Sequence, residues 1–147
     1  MKFAVLIFLL VFHPIRLGSA NQSCLTYEPN SVVLQGRMRP HTFPGRPNYQ
    51  SIAKGDEAER VWVLHLTKPI CVLASADWEK EENVSDVQLV FSEGQNQYDR
   101  YRSLLGGRII ATGTLFRAHT GHHHTRVLLT VKEINGGSVA RGATPAI

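Results

Sequence analysis

Five short runs in which apolar and polar residues alternate, interrupted by one stretch of helical spacing, restrict this chain more than any other feature does. Alternation puts successive side chains on opposite faces of a strand, so each run reads as a strand with one face toward a core. The first, Val32–Met38, sets Val32, Leu34, Gly36 and Met38 against Val33, Gln35 and Arg37, with Gly36 read as a bend or bulge. The second, Val61–Thr67, sets Trp62, Leu64 and Leu66 against Val61, Val63 and His65, and the third is Val87–Phe91. Across Asn96–Leu105 the period changes: Tyr98, Tyr101, Leu104 and Leu105 recur at helical spacing, and Gly106 supplies the left-handed residue that ends a helix. The fourth and fifth runs, Arg108–Phe116 and Val127–Ile134, flank the segment Arg117–Thr125, RAHTGHHHT. Three strands, a helix and two strands is the order of a five-stranded OB barrel, which binds ligands on the face of strands 2 and 3 and on the loops joining strands 1 to 2 and 4 to 5. The predicted fold is therefore all-β with one short helix, a five-stranded OB-like barrel, with a small antiparallel β-sandwich as the alternative.

The start of the chain reads as an address. Met1-Lys2 precedes ten apolar residues from Phe3 to Phe12, and Gly18-Ser19-Ala20 places small residues where a signal peptidase cuts. As a membrane anchor the run is too short, since crossing a hydrocarbon layer takes about 20 residues. The predicted organisation is a signal peptide over 1–20, the barrel domain over 21–134 and a flexible tail over 135–147. Export places Cys24 and Cys71, the only two cysteines, in an oxidising compartment, where a disulfide between them is expected. The net charge of +4 loses Lys2 and Arg16 with the leader, and no block of like charge remains. Strong nucleic-acid binding is excluded on that ground.

His119, His122, His123 and His124 fall within six residues between the last two strands. A loop of His119, Thr120 and Gly121 keeps the apolar faces of both strands inward, pairs Leu115 with Thr125 and Gly113 with Val127, and gives Gly121 the left-handed position. In that register His122 and His124 project together from the outer face, His119 sits at the tip, and His123 turns toward Arg117 at the barrel mouth. His119, His122 and His124, with His41 from the strand 1–2 loop, form a candidate site for Zn, Cu or Ni, which imidazole suits better than it suits Ca or Mg. The acidic segments Gly55–Glu59 and Asp77–Glu82 read as solvated loop faces.

The strand 1–2 connection, Arg39–Arg60, is long for a compact domain and carries Phe43 and Tyr49 among Pro44, Gly45, Arg46 and Pro47. With Arg117 and His123, Phe43, Arg46 and Tyr49 are the candidate ligand-binding residues. Three segments together, Thr42–Glu57, Val61–Val72 and Gly113–Val131, resemble the bacterial domain of unknown function family 4431. Its members are small exported proteins of Gram-negative bacteria, so the resemblance implies a periplasmic location; it implies no reaction. No Ser/His/Asp, Cys/His or paired-carboxylate constellation assembles from the sequence. The expected function is thus a non-enzymatic periplasmic binding module, free of a membrane anchor, recognising a protein or envelope component through the strand 1–2 loop and the histidine hairpin. A periplasmic protein binding a divalent transition metal is the alternative.

Overall fold

The computed structural model describes residues 23–137, so the expected signal peptide and all of the expected tail beyond Gly137 lie outside it. The five strands are β1 (Ser31–Pro44), β2 (Ala58–Val72), β3 (Glu81–Val90), β4 (Arg108–Arg117) and β5 (Val127–Gly136). They hydrogen-bond in the ring order β1-β2-β3-β5-β4, and β4 returns to β1. Only β3 and β5 run parallel; the other neighbours are antiparallel. The protein is therefore all-β with one short helix, and its five strands close in the barrel-like ring expected from the order of the runs.

The alternation places the core as expected. Val32, Leu34 and Met38 of β1, Trp62, Leu64 and Leu66 of β2, Val87 and Leu89 of β3 and Leu115, Val127 and Leu129 of the last two strands are all buried in one cluster. The helix α1 (Gln95–Tyr101) and a 3-10 turn at Arg102–Leu104 replace the single helix predicted, and Gly106 follows at φ +80°, the left-handed residue expected there. Tyr98 and Phe91 pack edge-on to the Trp62 ring, at 4.9 and 5.3 Å between centroids, beside the barrel core.

Gly36 is not a bulge. The β1–β4 register runs unbroken through it, the β1–β2 register starts at it, and a Cβ there would stand 2.2 Å from the His65 carbonyl oxygen. Glycine lets β1 approach β2 at the point where β1 passes from β4 to its new neighbour. Past Met38, which donates to the Gly107 carbonyl and accepts from the Gly106 N–H, β1 has no strand partner on the β4 side among the described residues, so Pro40 sits on a strand with an open edge, where a missing N–H is tolerated. That tolerance lengthens β1 and β2 to the pair Pro44↔Ala58 and shortens the expected Arg39–Arg60 connection to Gly45–Glu57.

The histidine hairpin has a different register from the one predicted. Leu115 faces Leu129, Arg117 faces Val127, and the Ala118 N–H donates to the Arg126 carbonyl, leaving a wide loop where a three-residue turn was expected. Inward parity is kept, because the observed pairing differs from the expected one by an even number of residues. A register shift between Thr112 and Gly113 then adjusts β4 against β5. β5 also continues through Asn135 and Gly136, two residues into the segment expected to be flexible.

Candidate functional site at the junction of two loops

The β1–β2 loop is wound around a carboxylate. Asp56, 6% exposed, accepts the backbone N–H groups of Asn48, Gln50 and Ser51 at 2.9, 2.8 and 2.8 Å and the Asn48 side-chain amide at 3.2 Å. It is thus an internal support, not the solvated acid the sequence suggested. Hydrogen bonds from the Ser51 and Gln50 backbone, above all, hold its carboxyl below the ordinary 3.8. A lowered folded pKa means that the loop gains stability from the ionised group above the unfolded pKa and loses it as pH falls through the folded value. The Gln50 and Ser51 amide resonances are expected to keep their positions down to pH 5, to move toward random-coil values only below 3.8, and to be displaced at every pH in Asp56→Ala. Unchanged amide shifts in that variant would refute the assignment.

The second loop is held from β3. Gln88, 5% exposed, donates from Nε2 to the His122 carbonyl at 2.9 Å and accepts the His124 N–H at Oε1 at 2.7 Å, so its amide pairs with the loop as a neighbouring backbone would. Thr125 Oγ1 accepts the Gln88 N–H at 2.9 Å.

These supports bring the two loops into contact. Tyr49, at φ +57°, lays its ring where a Cβ on Gly121 would stand 2.6 Å from it, so a side chain at that point of the hairpin would displace the ring. The Tyr49 hydroxyl lies 3.0 Å from His122 Nε2, and His122 Nδ1 lies 2.8 Å from Glu59 Oε1. The other Glu59 oxygen faces His124 Nε2 at 3.2 Å, out of hydrogen-bonding alignment, and both atoms are buried without a hydrogen-bond partner among the described residues. Phe43 stacks on the His124 ring at 4.5 Å between centroids, and His41 stacks on Phe43 at 5.9 Å. Beside the chain lies a cleft of about 310 Å³ lined by Gly45, Arg46, Glu57, Ala58, Glu59 and His122.

Of the residues predicted for ligand binding, Phe43, Arg46 and Tyr49 therefore meet at this junction, whereas Arg117 and His123 do not. Arg117 pairs with Glu81 at 3.1 Å and Glu79 at 3.4 Å, and Arg126 holds the other Glu81 oxygen at 2.7 Å. His123 packs on Phe116 and His119 instead of turning to Arg117, and its Nδ1 accepts the His119 N–H at 3.1 Å. Burial first, then the neighbouring imidazoles His119, His122 and His124, push His123 below the ordinary 6.5. The histidines thus divide: His122 and His124 share Glu59, while His119 contacts His123, Phe116 and Trp78. Among the described residues no group of three or more His, Cys, Asp or Glu side chains is arranged to hold a metal ion.

Sequence reasoning missed Glu59, Asp56 and Gln88. The first two sit in a hydrophilic run that resembles any exposed turn, and the polar Gln88 within the apolar third run was the one available signal.

No curated protein matches the chain closely enough to carry an argument. Residues 86–135 match the model of the family described as Domain of unknown function (DUF4431), so the segment that supplies Gln88 and the four hairpin histidines is similar to that family, while Tyr49 and Glu59 lie outside the match.

Proposed function

We propose that this chain is an exported periplasmic binding module that takes a protein or envelope component at the junction of the β1–β2 loop and the histidine hairpin. The observation that carries the reading is the seating of Tyr49 on Gly121 and His122, which makes one preformed surface of two loops. Loops so positioned on a rigid ring are where an OB-like barrel binds, and a pre-organised surface loses less conformational entropy on binding than a mobile one. Among the residues lining the cleft, Arg46 supplies guanidinium donors and Glu57 a carboxylate acceptor, a pattern suited to a polar ligand bearing both donor and acceptor groups. The Cys24–Cys71 disulfide is in keeping with an oxidising compartment.

The test is affinity capture from an envelope extract with the oxidised protein, beside Tyr49→Ala and Arg46→Ala. The expected result is a component retained by the native protein and lost from both variants. Equal recovery on all three would place binding elsewhere on the barrel and overturn the reading.

A further inference from the structure

The tautomer of His122 follows from its two neighbours. Glu59 Oε1 is a carboxylate oxygen and accepts only, so the proton lies on His122 Nδ1, 2.8 Å away. His122 Nε2 then carries a lone pair, and the Tyr49 hydroxyl, 3.0 Å from it, must be the donor. Hydroxyl, imidazole and carboxylate stand in the order and at the spacings by which a base activates a nucleophile and a third group orients the base. The second Glu59 oxygen is buried 3.2 Å from Nε2 of His124, whose side chain is 8% exposed and stacks on Phe43. The reacting end is open, for the His122 side chain is 45% exposed and Tyr49 is only half-buried. Tyr49 also occupies left-handed backbone, the kind of strained conformation that clusters at functional sites. Two of the other three tyrosines, Tyr27 and Tyr101, are 3% and 7% exposed, and the Tyr27 hydroxyl donates to the Glu79 carbonyl.

We infer that Tyr49 is a nucleophile activated by His122 and Glu59, able to accept an acyl group from an activated ester bound in the adjoining cleft. In the first step the Tyr49 oxygen bonds to the ester carbonyl carbon as its proton passes to His122 Nε2. The bond from that carbon to the ester oxygen breaks, and the departing alcohol takes the proton back from His122. Water then attacks the acylated tyrosine, giving its proton to His122; the carboxylic acid leaves and the Tyr49 oxygen recovers the proton. Arg46 lines the same cleft and brings a positive charge to it, the kind of group that stabilises the negative charge a carbonyl oxygen gains on attack. A cleft of about 310 Å³ has room for a small acyl group. The inference concerns Tyr49 chemistry and does not require the binding reading: a module that captures its ligand with an inert Tyr49 would sink one and leave the other.

The experiment uses the full oxidised protein with 4-nitrophenyl acetate, followed by stopped reaction and peptide mass mapping. The expected result is a burst of nitrophenol equal to the protein present, with the acetyl group on Tyr49. Tyr49→Phe, which keeps the ring on Gly121, is expected to abolish the burst. His122→Gln and Glu59→Gln are expected to slow it roughly a hundredfold, the usual contribution of a positioned base. A second probe, an aryl sulfonyl fluoride, replaces its S–F bond with an S–O bond to the phenol and releases fluoride. Its rate at Tyr49 is expected to fall by a similar factor in His122→Gln, while labelling at Tyr98 is unchanged and reports that the barrel is intact. A burst that survives Tyr49→Phe, with acetyl groups on the histidines, would overturn the inference, as would Tyr49 labelling that does not respond to His122→Gln.

Discussion

Replacing Cys24 and Cys71 together with alanine is expected to lower the free energy of unfolding by roughly 4 kcal/mol, the chain-entropy value for a loop of this size. The bond spans 47 residues and encloses all of β1, the β1–β2 loop and nearly all of β2. Ahead of β1 the segment is also held by non-covalent contacts, among them the Glu28 N–H donating to the Leu115 carbonyl at 2.8 Å. Leu25 donates to the Cys71 carbonyl and accepts from Leu73, each at 2.8 Å, and Tyr27 is 3% exposed in the core. Against a typical total of about 5–15 kcal/mol for a domain, the loss is roughly a quarter or more, and it corresponds to a fall in Tm of about 15 °C. Thermal unfolding of the oxidised protein and of the double variant checks this. A fall of less than about 3 °C would mean that the unfolded chain already keeps these ends close, which would defeat the entropic account.

How much of this was legible in the sequence depended on whether local pattern or tertiary contact decided the outcome. Alternation located the inward residues of the first, second, fourth and fifth strands, because a period of two leaves only one face to bury. Gly106 was readable as the end of the helical segment for the same local reason. Pro40 and Pro44 hid the length of β1: they look like loop residues until the open edge beside them is known. The hairpin register was wrong although its parity was right. His119-Thr120-Gly121 looks like a tight three-residue turn, and nothing local reveals that the hydrogen bonds of Gln88 to the His122 and His124 backbone open it. Tyr49, Phe43 and Arg46 stood out by composition. Their partner Glu59 did not, since a carboxylate at the start of a strand becomes informative only once the ring brings His122 and His124 against it.

Gln88→Leu is expected to untie the histidine hairpin while leaving the barrel closed. Gln88 lies in a row that crosses the sheet from Arg39 through Val63, Gln88 and Leu128 to Phe116. These residues alternate with the inward Leu64, Val87 and Leu129, so they point outward, yet Val63, Gln88, Leu128 and Phe116 are all buried. The Gln88 amide joins that outer layer to the loop above it. Leucine preserves the volume and removes both hydrogen bonds, leaving the His122 carbonyl and the His124 N–H without their partner. Each such group costs about 1–3 kcal/mol if it stays buried, so the variant either loses roughly 2–6 kcal/mol or lets the loop lift into water. Lifting costs less globally, because the inward cluster does not include Gln88. The expected observation is therefore local: protection of the His124 amide in hydrogen exchange falls at least tenfold, while Leu64 and Leu129 on the inward face keep theirs. His122 is carried away from Glu59 and Tyr49 in the same motion, so the Tyr49 labelling rate should fall together with His124 protection. If His124 stays protected in Gln88→Leu, β3 does not set the hairpin, and the junction of the two loops must be held by the Tyr49 and Phe43 ring contacts alone.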